Sequence, residues 1–202
     1  MDPHRPTENH PVYVDVAGRV VPGHRWEVQH PTALLPGAFN PIHEGHRGLA
    51  AVAAELLGLP VAYELSIANV DKPPLGAAEV DRRLEQFTGH AAVWLTHAPR
   101  FVQKAILFPG AVFVVGADTA LRIVDPGYYD SNPAQMHAAL ASLTDHGCRF
   151  LVACRRDGAG RCVELADVPV PPVFRALFTA VPAERFRLDV CSTEMRARRI
   201  WS

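Results

Sequence analysis

The sequence predicts an α/β fold in which helices flank a mostly parallel sheet. Short apolar, strand-like runs alternate with helical segments along most of the chain. The run AVFVV at 111–115 is apolar at every position, as expected of a strand that helices cover on both faces. Strands joined in this way pair in parallel through right-handed crossovers.

The N-terminal part of the chain precedes this alternation. Residues 1–11 are polar and Pro-rich, and residues 12–26 contain two β-like runs around Ala-Gly, which predict a hairpin. The first strand of the sheet is predicted at 32–35, where an apolar run ends in Pro-Gly. We therefore divide the chain into an N-terminal extension, 1–31, and one α/β domain, 32–202.

The next three elements have clear local signals. Residues 43–57 are rich in alanine and leucine, which favour helix, and Gly58 is a suitable C-terminal cap. A strand is predicted at 61–67, before the Pro-rich turn DKPPLG. A helix with charges on one side is predicted at 78–87.

The second half of the chain repeats the pattern in shorter pieces. Strands are predicted at 92–95, 111–115, 150–154 and 186–190, and helices at 101–107, 118–124, 133–144 and 192–200. The stretch DGAGR at 157–161 predicts a hairpin tip or mobile loop, because its glycines favour turns.

Composition excludes several classes of function. The 202 residues carry a net charge of −1, so no bulk attraction to nucleic acid or an anionic membrane is expected. No stretch approaches the roughly 18 apolar residues of a membrane span, and no apolar segment follows a basic start as in a signal peptide. We expect a cytoplasmic protein without nucleic-acid or membrane partners, and leave open whether it forms a homo-oligomer.

The cysteines match neither a CxxC motif nor a zinc ribbon. They are Cys148, Cys154, Cys162 and Cys191. Because disulfides are rare in the cytosol, we expect four reduced thiols.

The stretch LPGAFNPIHEGHRG at 35–48 is the strongest candidate site. Gly37 allows a close backbone approach, and the helix that begins near His43 points free N–H groups into a cleft, which favours anions. His43 and His46 share one helical face. They could be metal ligands, ordinary helix residues or hydrogen-bond donors to phosphate, but no third metal ligand of fixed spacing is evident.

Further candidates follow the carboxyl ends of other strands, where open α/β sheets bind ligands. Ser192 and Thr193 at a helix start, with Arg196 one turn on, suit phosphate, although hydroxyls also cap ordinary helices. Lys72 is a cation held between a strand and two prolines, or a solvated turn lysine. Asp118 follows the buried strand as a ligand group, a helix N-cap, or both.

The string GAFNPIHEGH resembles the HxGH signature of the nucleotidylyltransferase superfamily, and is most similar to its nicotinate/nicotinamide mononucleotide adenylyltransferase branch. The segments VVGADT, LVACRRDG and CSTEMR resemble later motifs of that branch. A still closer resemblance is to a group that carries ELSxxNxDKPPL and FxxKAxLFPGxxFVxGADT. Its domains occur alone or joined to a domain similar to the competence-damage-inducible amidohydrolase.

This resemblance, over residues 32–200, implies a Rossmann-like fold. It also implies transfer of a nucleotidyl group, expected to be adenylyl, from an NTP with Mg²⁺ to a phosphate-bearing acceptor, with pyrophosphate released. The resemblance also implies roles for single residues. Gly37, Phe39 and Asn40 would line the nucleotide pocket, and His43 and His46 would bind the triphosphate and the transition state. The β- and γ-phosphates would be bound by Ser192, Thr193 and Arg196, whereas Gly116 and Asp118 would approach the ribose or the acceptor and Arg155 would contact the nucleotide. Lys72 is the candidate for the acceptor phosphate.

The chain departs from the branch at three places. Ala38 stands where a small hydroxyl residue is usual, Cys191 stands where serine is typical, and residues 125–148 form an insertion-like region that could reshape the acceptor pocket. The acceptor is a pyridine mononucleotide or another phosphate ester, and CTP is an alternative donor. Two other classes stay open: a nucleotide-binding module that has lost turnover, and a metal-dependent hydrolase.

Overall fold

The computed structural model describes residues 6–8, 10–21, 33–68, 70, 73–156 and 160–186. A seven-stranded sheet forms its centre. Its strands are β1 (Val12–Val14), β2 (Ala33–Pro36), β3 (Val61–Ser66), β4 (Val93–Thr96), β5 (Val112–Gly116), β6 (Arg149–Ala153) and β9 (Phe178–Ala180). Two further strands, β7 (Arg155–Arg156) and β8 (Cys162–Val163), form a hairpin between β6 and β9. The hairpin forms a small sheet of its own.

The helices match the predicted segments within a residue or two. They are α1 (Glu44–Leu57), α2 (Ala77–Glu85), α3 (Phe101–Leu107), α4 (Ala117–Ile123) and α5 (Pro133–Asp145), with short 3₁₀ turns at Pro126–Tyr128, Leu165–Asp167 and Pro172–Leu177. Within the described ranges, no helix is long and apolar enough to cross a membrane. The predicted α/β fold, with helices around a mostly parallel sheet, is confirmed.

The order of strands in the sheet is β1-β4-β3-β2-β5-β6-β9. All neighbours pair in parallel except β1, which runs antiparallel to β4. Since β2 lies between β3 and β5, the strand order reverses there. The crevice beyond the carboxyl ends of β2 and β5 is therefore the expected ligand site of this topology.

The N-terminal hairpin is present and joins the sheet. Val14 bridges Val20 across the turn, and the β1 strand of this hairpin pairs with β4. At the other edge, β9 was not predicted from the sequence, since it is only three residues long and buries Phe178 alone. The predicted strand at 186–190, after its first residue, and the helix at 192–200 lie outside the described residues.

The core has one layer on each face of the sheet, because successive side chains of a strand point to opposite faces. Phe113 and Phe150 pack with Trp94 on the face that α3 and α5 cover. Val114 packs with Leu35 on the face that α1 covers. Strand β5 is therefore buried on both faces, as the run AVFVV predicted.

The expectation of four reduced thiols is wrong for one pair. Cys154 and Cys162 form a disulfide, with their Cα atoms 5.9 Å apart. Their spacing lacked a known signature, but the β7–β8 hairpin turns the chain back and brings them together. Cys148 is a free, buried thiol whose pKa burial raises. Cys191 lies outside the described residues.

Candidate functional site

The loop after β2 is built on close packing between Gly37 and Phe39. A Cβ at Gly37 would lie 2.7 Å from the Phe39 ring, so only glycine fits without a shift. Phe39 has a positive φ of 44°, unusual for an aromatic residue. Its ring is 1% exposed and packs edge-on against Tyr63 and Phe87. The buried ring of Phe39 therefore anchors the loop to the core.

The two histidines of the motif lie together at the start of α1. His43 is the N-cap residue, and its ring stacks on that of His46 with the centroids 3.8 Å apart. The His43 backbone N–H donates to His46 Nδ1 at 3.3 Å. Because Nδ1 of His46 accepts this bond, the proton of a neutral His46 lies on Nε2. The loop thus fixes both the ring and the tautomer.

Both imidazoles favour the neutral form. Burial lowers the pKa of His43, and the positive charge of Arg155 lowers it further. Burial lowers the pKa of His46 to about 3, with smaller contributions from His43 and Arg155. At neutral pH, His46 is therefore an uncharged hydrogen-bond donor. It can bind phosphate oxygens without gaining a proton.

Residues after β5 and β6 complete this side of the crevice. Arg155 Nε and Asp118 Oδ1 form an ion pair at 3.5 Å. A Cβ at Gly116 would lie 2.6 Å from Asp118 Oδ1 and 3.4 Å from Arg155 Cδ, so glycine leaves room for the pair. Asp118 lies in the first turn of α4, and Gly116 rather than Asp118 is the N-cap residue.

Helix α2 and the residue after it bind the loop through side chains that the sequence did not mark as functional. Arg83 donates to the Ala38 carbonyl at 2.8 Å, and Arg82 donates to Asn40 Oδ1 at 2.8 Å. Gln86 accepts from the Ile42 N–H at 2.9 Å and donates to the Phe39 carbonyl at 3.1 Å.

These four hydrogen bonds span the loop between Gly37 and His43. Glu79 binds both arginines, and these bonds lower its pKa to about 2. We call Arg82, Arg83 and Gln86 the α2 clasp. Their polar pattern on an amphipathic helix is also typical of a solvated face, so the sequence alone does not reveal that they contact the loop.

A cavity of about 520 Å³ adjoins the same loop. It lies beyond the ends of β2 and β3, beneath α3 and α4. Its wall includes loop residues, charged side chains and aromatic rings: Gly37, Ala38, Asn40, Glu64, Ser66, Arg83, Arg100, Phe101, Lys104, Arg122, Tyr128 and Tyr129. The tyrosines belong to the insertion-like region 125–148, which therefore shapes this cavity.

The cavity also contains a buried ion pair that the sequence reading missed. Lys104 Nζ lies 2.7 Å from both carboxylate oxygens of Glu64, and the Thr96 hydroxyl donates to Glu64 Oε1 at 2.5 Å. Glu64 and Lys104 are 1% and 4% exposed. The available signal was one charged residue inside each of the apolar runs VAYELS and FVQKAILF.

The structure brings together Gly37, Phe39, Asn40, His43 and His46, and places the Gly116, Asp118 and Arg155 cluster beside them. Four predicted residues, Lys72, Ser192, Thr193 and Arg196, lie outside the described residues.

Comparison with known proteins agrees with this geometry. Residues 34–198 match the cytidylyltransferase-like family. The chain belongs to this family. The match covers the loop with both histidines, the crevice and the cavity, and it confirms the resemblance to nucleotidylyltransferases. Membership of the cytidylyltransferase-like family supports an enzyme that transfers a nucleotidyl group.

One curated relative is similar over most of both chains. The probable nicotinate-nucleotide adenylyltransferase of Gloeobacter violaceus is 29% identical over 182 residues, which cover 81% of each chain. No solved structure matches the chain.

Proposed function

We propose that this cytidylyltransferase-like protein transfers an adenylyl group from ATP to an acceptor that carries a phosphate. The stacked, neutral histidine pair at the N-terminus of α1 is the observation that carries the proposal. It presents uncharged N–H donors and free backbone N–H groups at the crevice where this sheet topology binds ligands.

The reaction needs positioning and charge stabilisation more than a protein nucleophile. An oxygen of the acceptor phosphate attacks the α-phosphorus of ATP. The bond between that phosphorus and the bridging oxygen breaks, and its electron pair leaves on pyrophosphate. The acceptor phosphate is largely doubly ionised at pH 7, because the second pKa of a phosphomonoester is about 6. No general base is therefore required.

The roles follow from where the residues lie. His46 Nε2–H donates to the transferring phosphate, where charge accumulates in the transition state. Arg155 and Asp118 form an ion pair, and the charge of Arg155 acts on both histidines, which supports a role for the pair at the nucleotide. The nucleoside triphosphate enters as its Mg²⁺ complex, in which the metal offsets the β/γ charge.

The remaining assignments rest on the resemblance. Ser192, Thr193 and Arg196 hold the β- and γ-phosphates, and Lys72 meets the acceptor phosphate. The cavity beside the loop holds the rest of the acceptor, since its size and mixed lining are typical of a small-molecule site. The name of the Gloeobacter relative supports ATP as donor and a pyridine mononucleotide as the first acceptor to test.

A panel of acceptors tests this proposal. The full chain is incubated with ATP or CTP, Mg²⁺ and nicotinate mononucleotide, nicotinamide mononucleotide or phosphomonoesters of sugars, polyols and pantetheine, and pyrophosphate release is measured. We expect release with ATP and one acceptor class. ATP binding by calorimetry without pyrophosphate from any acceptor contradicts the proposal and favours a nucleotide-binding module.

A further inference from the structure

The floor of the cavity contains polar groups to which the transfer reaction gives no role. They are Glu64 and Ser66, two residues apart on β3 and thus on one face of the sheet, and Lys104 on α3. We call these three residues the cavity floor.

The opposite charges of Glu64 and Lys104 balance each other, but the two side chains do not use all of their hydrogen-bond donors and acceptors. Glu64 Oε1 accepts from both Thr96 and Lys104, whereas Oε2 accepts from Lys104 alone among the described residues. An ammonium group has three N–H donors, and these bonds use two. One donor of Lys104 and one acceptor site on Glu64 therefore have no hydrogen-bond partner in the part of the chain that the structure describes.

Ser66 adds a third unused group. Its Oγ atom is buried and has no hydrogen-bond partner among the described residues. Burying a hydroxyl without a partner is costly, so such groups in native proteins usually mark a bound water or a ligand position. Because Ser66 also lines the cavity, a ligand there can satisfy this hydroxyl.

The unused groups select the chemistry of the ligand. A carboxylate or phosphate only accepts hydrogen bonds, so it cannot bind Glu64 Oε2, and it meets a positive charge that Glu64 already neutralises. An amine only donates when charged, and it meets Lys104. An uncharged group with both donor and acceptor atoms satisfies all three residues at once.

We propose that the cavity floor binds a carboxamide-type group at the end of the acceptor away from its phosphate, and rejects a carboxylate at the same position. The amide N–H₂ donates to Glu64 Oε2, and its carbonyl accepts from Lys104 and Ser66. Phe101 and Tyr128 line the cavity and provide aromatic surface for a flat group that carries the amide. This inference rests on the proposed function, because it assigns the cavity to the acceptor.

A pair of fragments without phosphate tests the floor directly. Benzamide and benzoate have the same shape and differ in the group that meets Glu64. Each is titrated into the ¹⁵N-labelled full chain, and the backbone amides of Ser66 and Lys104 are followed by NMR. We expect benzamide to bind with a Kd lower by about 10-fold or more, since sites built to donate and accept reject analogues that leave their groups unpaired.

Three variants separate recognition from general packing. Ser66→Ala removes one hydroxyl and should raise the Kd of benzamide by about 10-fold. Thr179→Ala removes an exposed hydroxyl on β9 and should leave this Kd unchanged. The double variant Glu64→Gln with Lys104→Met removes both charges together, which buried pairs tolerate better than single changes. In this double variant, benzamide and benzoate should bind with about equal Kd, because the side-chain amide introduced in place of the Glu64 carboxylate can donate a hydrogen bond to benzoate.

Equal affinity for the two fragments in the wild-type chain, tighter benzoate binding, or no saturable shift at Ser66 with benzamide overturns the inference. None of these readings depends on turnover. A chain that binds benzamide at the floor but releases no pyrophosphate with any acceptor contradicts the transfer reaction and leaves the carboxamide site in place.

Discussion

At the scale of single residues, the site depends on an uncharged histidine. Burial of His46 between the His43 and Phe39 rings, with Arg155 nearby, keeps the imidazole neutral. A charged imidazolium would attract phosphate more strongly in the ground state, but a neutral donor of fixed tautomer can favour the transition state without binding substrate too tightly. The sequence predicted that the two histidines share one helical face, but not their protonation; their phosphate role stays a prediction.

The neutral state of His46 makes stability depend on pH. Its pKa falls from 6.5 in the unfolded chain to about 3 in the folded one. The unfolded state therefore binds more protons between these values, so this contribution is complete above pH 6.5 and is lost as pH falls toward 3. Between about pH 7.5 and pH 5 we expect a loss of about 2 kcal/mol.

Urea unfolding at the two pH values measures this loss. His46→Gln should lose less stability on acidification than the wild-type chain, whereas His90→Gln, which changes an exposed histidine, should follow the wild type. The same acid sensitivity in His46→Gln and in the wild type contradicts a neutral His46 in the folded chain.

Gly37 and Gly76 provide a matched pair of glycine substitutions. Gly37→Ala puts a methyl group 2.7 Å from the buried Phe39 ring, whereas a Cβ at Gly76 meets nothing within 4 Å. We expect Gly37→Ala to cost about 1–3 kcal/mol in the free energy of unfolding, the usual range for overpacking. Gly76→Ala should cost less than about 1 kcal/mol, as at an N-cap position. Chemical denaturation that finds equal costs contradicts this packing.

At the scale of elements, the loop and the α2 clasp act together. The loop takes its course from β2, Gly37 and Phe39, but its backbone is held by side chains more than 40 residues later in the chain. No local pattern reveals such bonds, because periodicity reports which face of a helix is polar and not what that face meets. The sequence therefore predicted the α2 helix and missed its role.

Gln86 is the most direct probe of the clasp, since it binds both sides of the loop backbone. Gln86→Ala leaves the Ile42 N–H and the Phe39 carbonyl without this partner, and each lost bond costs about 1 kcal/mol. We expect faster hydrogen exchange at the Ile42 N–H, because it loses its acceptor. We also expect a lower kcat, because the histidines lose their fixed position, while the cooperativity of unfolding stays unchanged.

Gln135→Ala is the control for this experiment, since Gln135 is an exposed residue on α5. It should leave exchange and kcat unchanged. If Gln86→Ala matches this control in both readouts, the clasp does not position the loop.

At the scale of the whole molecule, the sequence predicted the sheet, its helices and the crevice at β2. These features depend on runs of apolar residues and on the motif at 35–48, which are local. It missed the strand β9 and the Glu64–Lys104 pair, because each depends on residues that only the tertiary fold brings together. It missed the Cys154–Cys162 disulfide for another reason: the local β7–β8 hairpin joins the two cysteines, but reduced thiols were expected. The cavity depends on the whole fold, because β3, α3, α4 and the 125–148 region all contribute residues to its wall.

The central claim is that His46 stabilises a nucleotidyl-transfer transition state, and steady-state pyrophosphate release by His46→Ala tests it most directly. With ATP and the best acceptor of the panel, we expect kcat to fall by about 10²–10³-fold, the usual effect of removing one transition-state donor. His90→Ala should retain the wild-type rate. A kcat for His46→Ala within about 3-fold of wild type would contradict this role of His46, since a lost transition-state donor costs far more.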